Sequence, residues 1–441
     1  MPYLYDWLTN HNITWPSQCC RWGPQVGESS TKTKHQVFLS EQTDGSAPNK
    51  LVIGTADVVK IRVAAAESIA SFRDNGPSRF FRITKTIEHP GEVNKIRELA
   101  EFPDVLLTHT DAADVYVWNI ENQPAYKPNV PRDPTPDLVL KGHRDQAPFA
   151  LGTSSAKGSS LVASGGRDAA VLLWDLADHR SSLCTAPSDA EDMEADGLGA
   201  RGGGGLAASP TLGCRAELKG HTSQIEEVVF KPGSTAELAS VADDKALIFW
   251  DTRAGAGPAT LVEDAHRDDV QCIDWSARDE HLVVTGSGDS SVHVWDLRRL
   301  SSSGRGGNGP LHSFHGHKGS ILRVQWCPDA KDVFASGGDD TLLNVWDLNK
   351  AGNSLQGGGP DGLLFQHCGH RSSVVDFQWN AADPWTMLSI SDDVNVGGGG
   401  TLQMWRMNDL IYRPEAEALR ELEEHKDFIL TGRESNQPML A

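Results

Sequence analysis

Short runs of apolar residues recur along most of the chain, and turn residues separate them. The runs Ile225–Phe230, Leu238–Val241 and Leu247–Trp250 alternate in polarity or are rich in β-branched and aromatic residues. Runs of this length and composition predict strands rather than helices. A fourth run precedes each of a series of histidines, as at Leu138–Leu140 and Leu363–Phe365. Four short strands in each period of roughly 45 residues predict one blade of a β-propeller.

A fixed spacing of polar residues marks the same period. A histidine is followed after 19 residues by Ser or Thr, after four more by Asp, and after six more by Trp. Three units keep this spacing, and three carry local changes, among them an insertion of six residues before Trp405 and Ala112 in place of an Asp. The six units are His89/Thr108/Ala112/Trp118, His143/Ser164/Asp168/Trp174, His221/Ser240/Asp244/Trp250, His266/Thr285/Asp289/Trp295, His317/Ser336/Asp340/Trp346 and His370/Ser389/Asp393/Trp405.

The recurrence of His, Ser and Asp argues for a scaffold and against catalysis. A hydrolase triad occurs once in an enzyme, whereas this set recurs at the spacing of a structural repeat. Repeats must stack on copies of themselves to bury their apolar faces, and buried His and Asp are tolerable when they pair. We therefore predict no catalytic residue and no enzymatic activity.

The residues before the first marked unit predict most of a seventh blade. Gln36–Ser40 and Leu51–Val59 are typical of two strands joined by a hairpin turn at Thr43–Ser46. Cys19–Trp22 could be another strand or could close the ring against the last blade. The sequence thus predicts an all-β fold, a seven-bladed propeller over residues 15–412, with a disordered insertion at about residues 177–213.

Two helices are predicted to flank the propeller. In residues 1–14, Leu4, Trp7, Leu8 and His11 follow helical spacing, which favours an amphipathic N-terminal helix. Residues 413–441 are expected to form a C-terminal helix and tail, because Pro414 is followed by acidic residues at the start of a helical run.

Composition narrows the class of partner. The net charge is -20, which argues against direct binding of nucleic acid and suits a basic partner. The seven cysteines contain no C-x-x-C pair, and no His or Cys cluster has metal-ligand spacing, so no metal and no cofactor are expected. No apolar run approaches the ~18 residues of a membrane span. We expect no membrane association and a cytosolic or nuclear protein.

At its repeat positions the chain resembles the WD-repeat family. Its Gly-His pairs include Gly220-His221 and Gly316-His317, and its Trp-Asp pairs include Trp250-Asp251 and Trp346-Asp347. The resemblance implies that the His, Ser or Thr, Asp and Trp of each unit form a buried hydrogen-bonded set within one blade.

Outside the repeats, the chain resembles the histone-binding WD-repeat family, which includes the retinoblastoma-associated histone-binding proteins and the small subunit of chromatin assembly factor. The resemblance rests on Leu4–Trp7 with Trp15–Ser17, and Leu39–Ser46 and Asn408–Tyr412 are similar to the plant FVE branch. It implies a nuclear scaffold that supports transcriptional repression. The implied partners are histones H3 and H4 and subunits of histone deacetylase or Polycomb-type complexes.

The family resemblance implies two histone sites. A groove for a helix of histone H4 would lie between the N-terminal helix and a loop of the sixth blade, with Leu4, Phe365, Asp361 and Ile411 at the matching positions. The acidic mouth of the ring would receive the basic tail of histone H3. Its matching residues are Glu92, Asn94, Phe149, Glu226 and Gln271.

An alternative function comes from another class of protein. Trp250-Asp251-Thr252-Arg253 and Trp295-Asp296-Leu297-Arg298 fit the W-D-x-R pattern of substrate receptors for cullin-type ubiquitin ligases. In that hypothesis, Arg253 and Arg298 dock the ligase adaptor. The pattern is short, and it is compatible with histone binding.

Overall fold

The computed structural model describes residues 4–61, 76–128, 133–179, 183, 209–300, 309–352, 359–424 and 426. These residues form seven antiparallel sheets that succeed one another around a ring. Each sheet is one blade, and its first strand faces the central channel. The predicted all-β, seven-bladed WD-repeat propeller is therefore confirmed.

The strands are numbered along the chain and average five to six residues, as is usual in globular proteins. They are β1 (Tyr5–Ile13), β2 (Cys20–Glu28), β3 (Lys32–Glu41), β4 (Lys50–Val59), β5 (Phe81–Glu88), β6 (Lys95–Leu99), β7 (Phe102–His109), β8 (Val115–Asn119), β9 (Leu138–Lys141), β10 (Leu151–Thr153), β11 (Leu161–Gly165), β12 (Ala170–Asp175), β13 (Thr211–Gly213), β14 (Ala216–Lys219), β15 (Ile225–Phe230), β16 (Glu237–Ala242), β17 (Leu247–Asp251), β18 (Thr260–Val262), β19 (Val270–Trp275), β20 (Leu282–Ser287), β21 (Ser291–Asp296), β22 (His312–His315), β23 (Ile321–Trp326), β24 (Val333–Gly338), β25 (Leu343–Asp347), β26 (Leu363–His367), β27 (Val374–Trp379), β28 (Thr386–Asp392) and β29 (Gly400–Met407).

Blades 1 to 7 follow the order of the chain. Blade 1 is β2–β5, blade 2 is β6–β9 with β13 added in parallel at its outer edge, and blade 3 is β10, β11, β12 and β14. Blades 4, 5 and 6 are β15–β18, β19–β22 and β23–β26. Blade 7 is β27–β29, and its outer strand is β1, from the other end of the described chain. The ring therefore closes within one sheet.

The predicted N-terminal helix is wrong, because Tyr5–Ile13 forms strand β1. Both faces of this strand are buried. Trp7 packs into the core between blades 1 and 7, and Leu8 packs into the core between blades 6 and 7. A strand buried on both faces need not alternate apolar with polar residues, so apolar residues at helical spacing fit it equally well. Pairing with β29 then decides the conformation.

A buried arginine strengthens this closure. Arg406 of β29 donates to Asp6 of β1 at 2.8 Å and to the carbonyl of Val59 in blade 1 at 2.5 Å. Both contacts cross from blade 7 to residues distant in sequence. Charge-assisted hydrogen bonds of this kind are stronger than neutral ones, so Arg406 links β1, blade 7 and blade 1.

The recurrent polar residues are structural, as predicted. In blade 4, His221 Nε2 lies 2.8 Å from Ser240 Oγ, its Nδ1 lies 3.0 Å from Asp244, and Trp250 Nε1 donates to Ser240 Oγ at 2.8 Å. The preceding Gly220 is needed because a Cβ there would meet Pro258 at 2.7 Å. We call the His, Ser or Thr, Asp and Trp of a blade its tetrad.

The remaining elements are short. The predicted C-terminal helix is confirmed as α1 (Glu415–Glu424). Single 3-10 turns lie at Ala177–His179, Leu297–Arg299, Leu348–Lys350, Val394–Val396 and Asp409–Ile411. Most of the insertion predicted at residues 177–213 lies outside the described residues, but its end differs from the prediction because Thr211–Gly213 forms strand β13.

Candidate functional site

One face of the ring carries the loops that hold the tetrad His and Asp residues, and we call it the top face. On this face the inner strands of blades 4 to 7 each begin with a β-bulge. A bulge inserts one extra residue and re-aims side chains at the end of a strand. The bulged residues are Glu226, Gln271, Leu322 and Val375.

A second set of side chains comes from the tight turn between the second and third strands of a blade. The residue before the tetrad Asp donates its backbone N–H to the loop that follows the tetrad His. Asp243 donates in this way to Gln224 at 3.0 Å, and Asp339 to Ser320 at 2.9 Å. This bond holds the turn beside the bulge, so the two sets of side chains share one rim around the channel. We call this rim the mouth.

Blade 4 places two carboxyl groups side by side at the mouth. Burial raises the pKa of Glu226 to about 7, and the charge of Asp243 raises it further. Burial also raises the pKa of Asp243, and the charge of Asp269 adds to this effect. Among the described residues, no lysine or arginine forms a salt bridge with Glu226, whose Oε1 accepts instead from Gln224 at 2.5 Å. A cation bound here would relieve the repulsion between the carboxyl groups.

The next residue, Glu227, faces the channel and has ample positive charge. Its Oε1 accepts from Arg97 of blade 2 at 2.7 Å and from Arg323 of blade 6 at 2.6 Å. Burial opposes its ionisation, but Arg323, Lys95 and Arg97 outweigh burial and lower its pKa to about 2. The structure thus closes the channel below the mouth with its own ion pairs.

Blade 2 contributes the other polar residues predicted for the tail. Asn94 directly precedes β6 and donates from Nδ2 to Asp111 at 2.7 Å. Glu92 accepts a hydrogen bond from Gln42 of blade 1. Both residues therefore lie on the top face, with Asp111 as an additional carboxylate.

The two remaining residues predicted for the tail are also on the top face. Phe149 is 38% exposed in the loop between β9 and β10, so its ring is available to a ligand. Gln271 is the half-buried bulge residue of blade 5. The structure thus brings all five predicted tail residues to one face.

Three acidic residues of the mouth were missed from the sequence. Asp111, Asp243 and Asp269 are as close to the predicted residues as those residues are to one another. A signal for Asp243 was available, because it directly precedes Asp244, whose position the repeat spacing defines. The residue before a tetrad Asp always lies in the turn at the mouth.

The predicted helix groove is built differently from the expectation. Phe365 is 6% exposed, since Tyr5 of β1 covers it with ring centroids 5.4 Å apart. Ile411 is partly buried against the same core. Leu4 is 49% exposed, and its carbonyl accepts from Asn408 at 2.9 Å, next to the turn that carries Ile411.

The apolar surface left open at this edge is therefore Leu4 with Leu410, which is 47% exposed. Phe365 supports this surface from below and is not part of it. Asp361 lies apart from them on the loop before β26, where its carboxylate accepts from the Gly352 N–H at 2.8 Å. Residues 353–358 of that loop lie outside the described residues.

The two arginines of the ligase hypothesis are engaged with their own chain. Arg253 forms a bidentate pair with Asp251, with both bonds at 2.8 Å. Arg298 forms the same fork with Asp296, at 2.9 and 2.7 Å. Both guanidinium groups are largely exposed, so they are surface pairs that stabilise the turn after each Trp-Asp.

Two further observations concern other classes of site. Among the described residues, no group of three or more His, Cys, Asp or Glu side chains could hold a metal ion. No helix in the described part of the chain is long and apolar enough to cross a membrane.

The fold and its tetrads define a WD-repeat propeller, and comparison with known proteins agrees. A family described as "WD domain, G-beta repeat" matches residues 212–251, 259–296 and 308–347. The family of histone-binding protein RBBP4, which also takes in a component of the CAF1 complex, matches residues 1–60. WD-40 repeat-containing protein MSI4 of Arabidopsis thaliana is 47% identical over 436 residues, which are 98% of this chain and 84% of that protein.

The chain belongs to the RBBP4-type family of histone-binding WD-repeat proteins, as the resemblance predicted. The match over residues 1–60 includes β1, so the segment that closes the ring is also part of the family's signature. These relatives do not favour the ligase alternative.

Proposed function

We propose that this protein is a non-enzymatic histone-binding scaffold of nuclear chromatin complexes, and that its mouth holds the basic tail of histone H3. The deacetylase or Polycomb-type subunits implied by the resemblance would bind other surfaces of the ring. In this role the protein supports repression by presenting histones to the enzymes of the complex.

One observation carries the proposal. Glu226 and Asp243 are partly buried, lie close enough to raise each other's pKa, and have no salt bridge to a cation of the described chain. A lysine or arginine side chain entering the mouth supplies the missing charge. Partial desolvation makes such an ion pair stronger and more selective than one at an open surface.

A second contact is proposed at the edge of blade 7. Leu4 and Leu410 are exposed beside each other on a firm base of Tyr5, Phe365 and Ile411. An amphipathic helix can lay its apolar face on such a surface. We assign this edge to the helix of histone H4.

The proposal is tested by titrating a histone H3 tail peptide into the protein by calorimetry at two salt concentrations. We expect binding that weakens as salt rises, because screening weakens pairs of opposite charge. Glu226→Gln should lower the affinity about ten-fold, which is typical of removing one partner of a partly desolvated pair. Glu121→Gln is the matched control, because Glu121 is an exposed acid in the loop after β8, at the opposite face.

Two results would overturn the tail assignment. The first is that the wild-type protein fails to bind the peptide near physiological salt. The second is that Glu121→Gln weakens binding as much as Glu226→Gln, since that would show a general effect of net charge rather than a site at the mouth.

A further inference from the structure

Blade 7 departs from the other blades at the mouth. Trp405 follows Asp393 by twelve residues, whereas Trp250 follows Asp244 by six. The extra residues form a 3-10 turn, Val394–Val396, between β28 and β29. This turn stands on the top face, because Asp392 donates its N–H to Ser373 at 3.2 Å, in the same way that Asp243 donates to Gln224.

The inserted turn is tied down by the tetrad aspartate. Asp393 accepts side-chain hydrogen bonds from Ser391 at 2.9 Å and from Thr401. Its backbone carbonyl accepts from Val396 and Gly398, each at 3.0 Å. The insertion is therefore a preorganised part of the mouth.

Holding this turn costs blade 7 part of its tetrad. In blades 3, 4 and 6 the His Nδ1 lies 2.9 to 3.1 Å from the tetrad Asp. In blade 7, Asp393 is engaged elsewhere, and the buried Nδ1 of His370 has no hydrogen-bond partner among the described residues. A buried polar atom without a partner is destabilising. Departures of this kind from an otherwise regular scaffold mark functional positions.

The surface gained in return is apolar. Val394 and Val396 are 54% and 57% exposed on the turn. The bulge residue of this blade is Val375, at the position that Glu226 holds in blade 4. The mouth therefore has carboxyl groups on the side of blade 4 and three valines on the side of blade 7.

We propose that the insertion is a specificity element, and that Val375, Val394 and Val396 form a subsite for an aliphatic side chain. Its occupant is an extended basic peptide whose lysine or arginine pairs with Glu226 and Asp243 and which carries a Val, Leu or Ile along its length. Charge complementarity places the basic part of this peptide, and the valines select its apolar residue. The inference rests on the proposed function, since the same peptide occupies both parts of the mouth.

The sequence offers a clean deletion for the test. Removing residues 394–399 leaves Trp405 six residues after Asp393 and puts Gly400 directly after Asp393. The residues at that position in blades 3 to 6, Ala169, Lys245, Ser290 and Thr341, all have positive φ, a conformation that glycine adopts readily. The deletion should restore the His370–Asp393 bond and keep or raise the melting temperature.

Binding is measured with a lysine-rich tail peptide and a set of variants in which one leucine is moved along it in place of serine. In the wild-type protein, the best-placed leucine should tighten binding about five-fold, as expected for burial of part of an aliphatic side chain. The deletion and the double variant Val394→Ser, Val396→Ser should abolish this gain and leave the affinity for the serine peptide unchanged.

The outcomes separate the two proposals. If the wild-type protein binds the serine peptide but no leucine position improves binding, or if the gain survives the deletion and the double variant, the apolar subsite is wrong and the histone function stands. If the wild-type protein binds neither peptide, the histone function is wrong and the subsite falls with it.

Discussion

Glu226 and Glu227 are neighbours on one strand, yet their carboxyl groups are in opposite states. Glu227 faces the channel, and cations from blades 2 and 6 hold its pKa near 2 against the effect of burial. Glu226 faces the mouth, where burial and the nearby Asp243 raise its pKa to about 7. One extra residue at the bulge separates the two environments.

The comparison shows how a regular scaffold produces a site. Where the chain supplies both charges, the result is an ion pair that holds blades together. Where the chain supplies only the negative charge, the free energy of desolvation remains uncompensated until a ligand brings the cation. The same strand therefore carries a structural carboxylate and a binding carboxyl group.

The largest expected effect is on the channel. Glu227→Gln removes the negative charge that Arg97 and Arg323 share, and it leaves two buried cations without their main partner. Breaking a buried ion pair by removing one partner costs about 3–5 kcal/mol. Denaturation with urea should therefore show a much lower midpoint than for the wild-type protein.

The matched control is the same substitution one residue earlier. Glu226→Gln should leave the midpoint unchanged or slightly higher, because this carboxyl group has no salt bridge among the described residues to lose. If the two substitutions changed stability equally, the contrast between channel and mouth would be wrong.

The next effect concerns the pH dependence of tail binding. The free protein holds a proton on Glu226 up to about pH 7, and a bound ammonium group favours the ionised carboxylate. The complex therefore binds fewer protons than the free protein, and affinity must rise with pH. For a group with a pKa of about 7, the gain between pH 6 and pH 8 is about ten-fold. Calorimetric titrations of the tail peptide across this range measure it.

Glu226→Gln again provides the control for this prediction, since glutamine does not titrate. Its remaining affinity should be nearly flat over the same pH range. A steep rise with pH in this variant would assign the titration to another group and would contradict the role of Glu226.

The smallest effect extends the comparison to a surface without charge. The double variant Leu4→Ser, Leu410→Ser should weaken binding of a histone H4 helix peptide about five-fold, because it removes exposed apolar contact area. It should leave binding of the H3 tail peptide unchanged, and Glu226→Gln should do the reverse. Loss of both activities in the Leu variant would indicate a general effect on the ring rather than two separate surfaces.

The blades and tetrads were predictable because they are local. The His, Ser, Asp and Trp of one tetrad lie within about 30 residues of sequence, so their spacing reflects contacts inside a single blade. The strand β1 was not predictable in this way. Its partner Gln403 lies 393 residues from Asn10, and its apolar residues also fit the spacing of a helix.

The site was predictable in part. Glu226 and Asn94 were named by their likeness to a family, and Asp243 could have been added from its place before a tetrad residue. The apolar side of the mouth could not be found from the valines alone. It depends on the bulge of blade 7 and on the hydrogen bonds that turn Asp393 away from His370.

The sequence by itself determined the repeated blade, the number of tetrads and the acidic character of the protein, since these depend on residue type and on spacing within one repeat. Only the tertiary structure decided the conformation of residues 5–13 and the opposite states of Glu226 and Glu227. Ring closure brings β1 to blade 7, and the closed ring brings Arg97 and Arg323 to Glu227 from blades on either side. Those contacts exist only when all seven blades are in place.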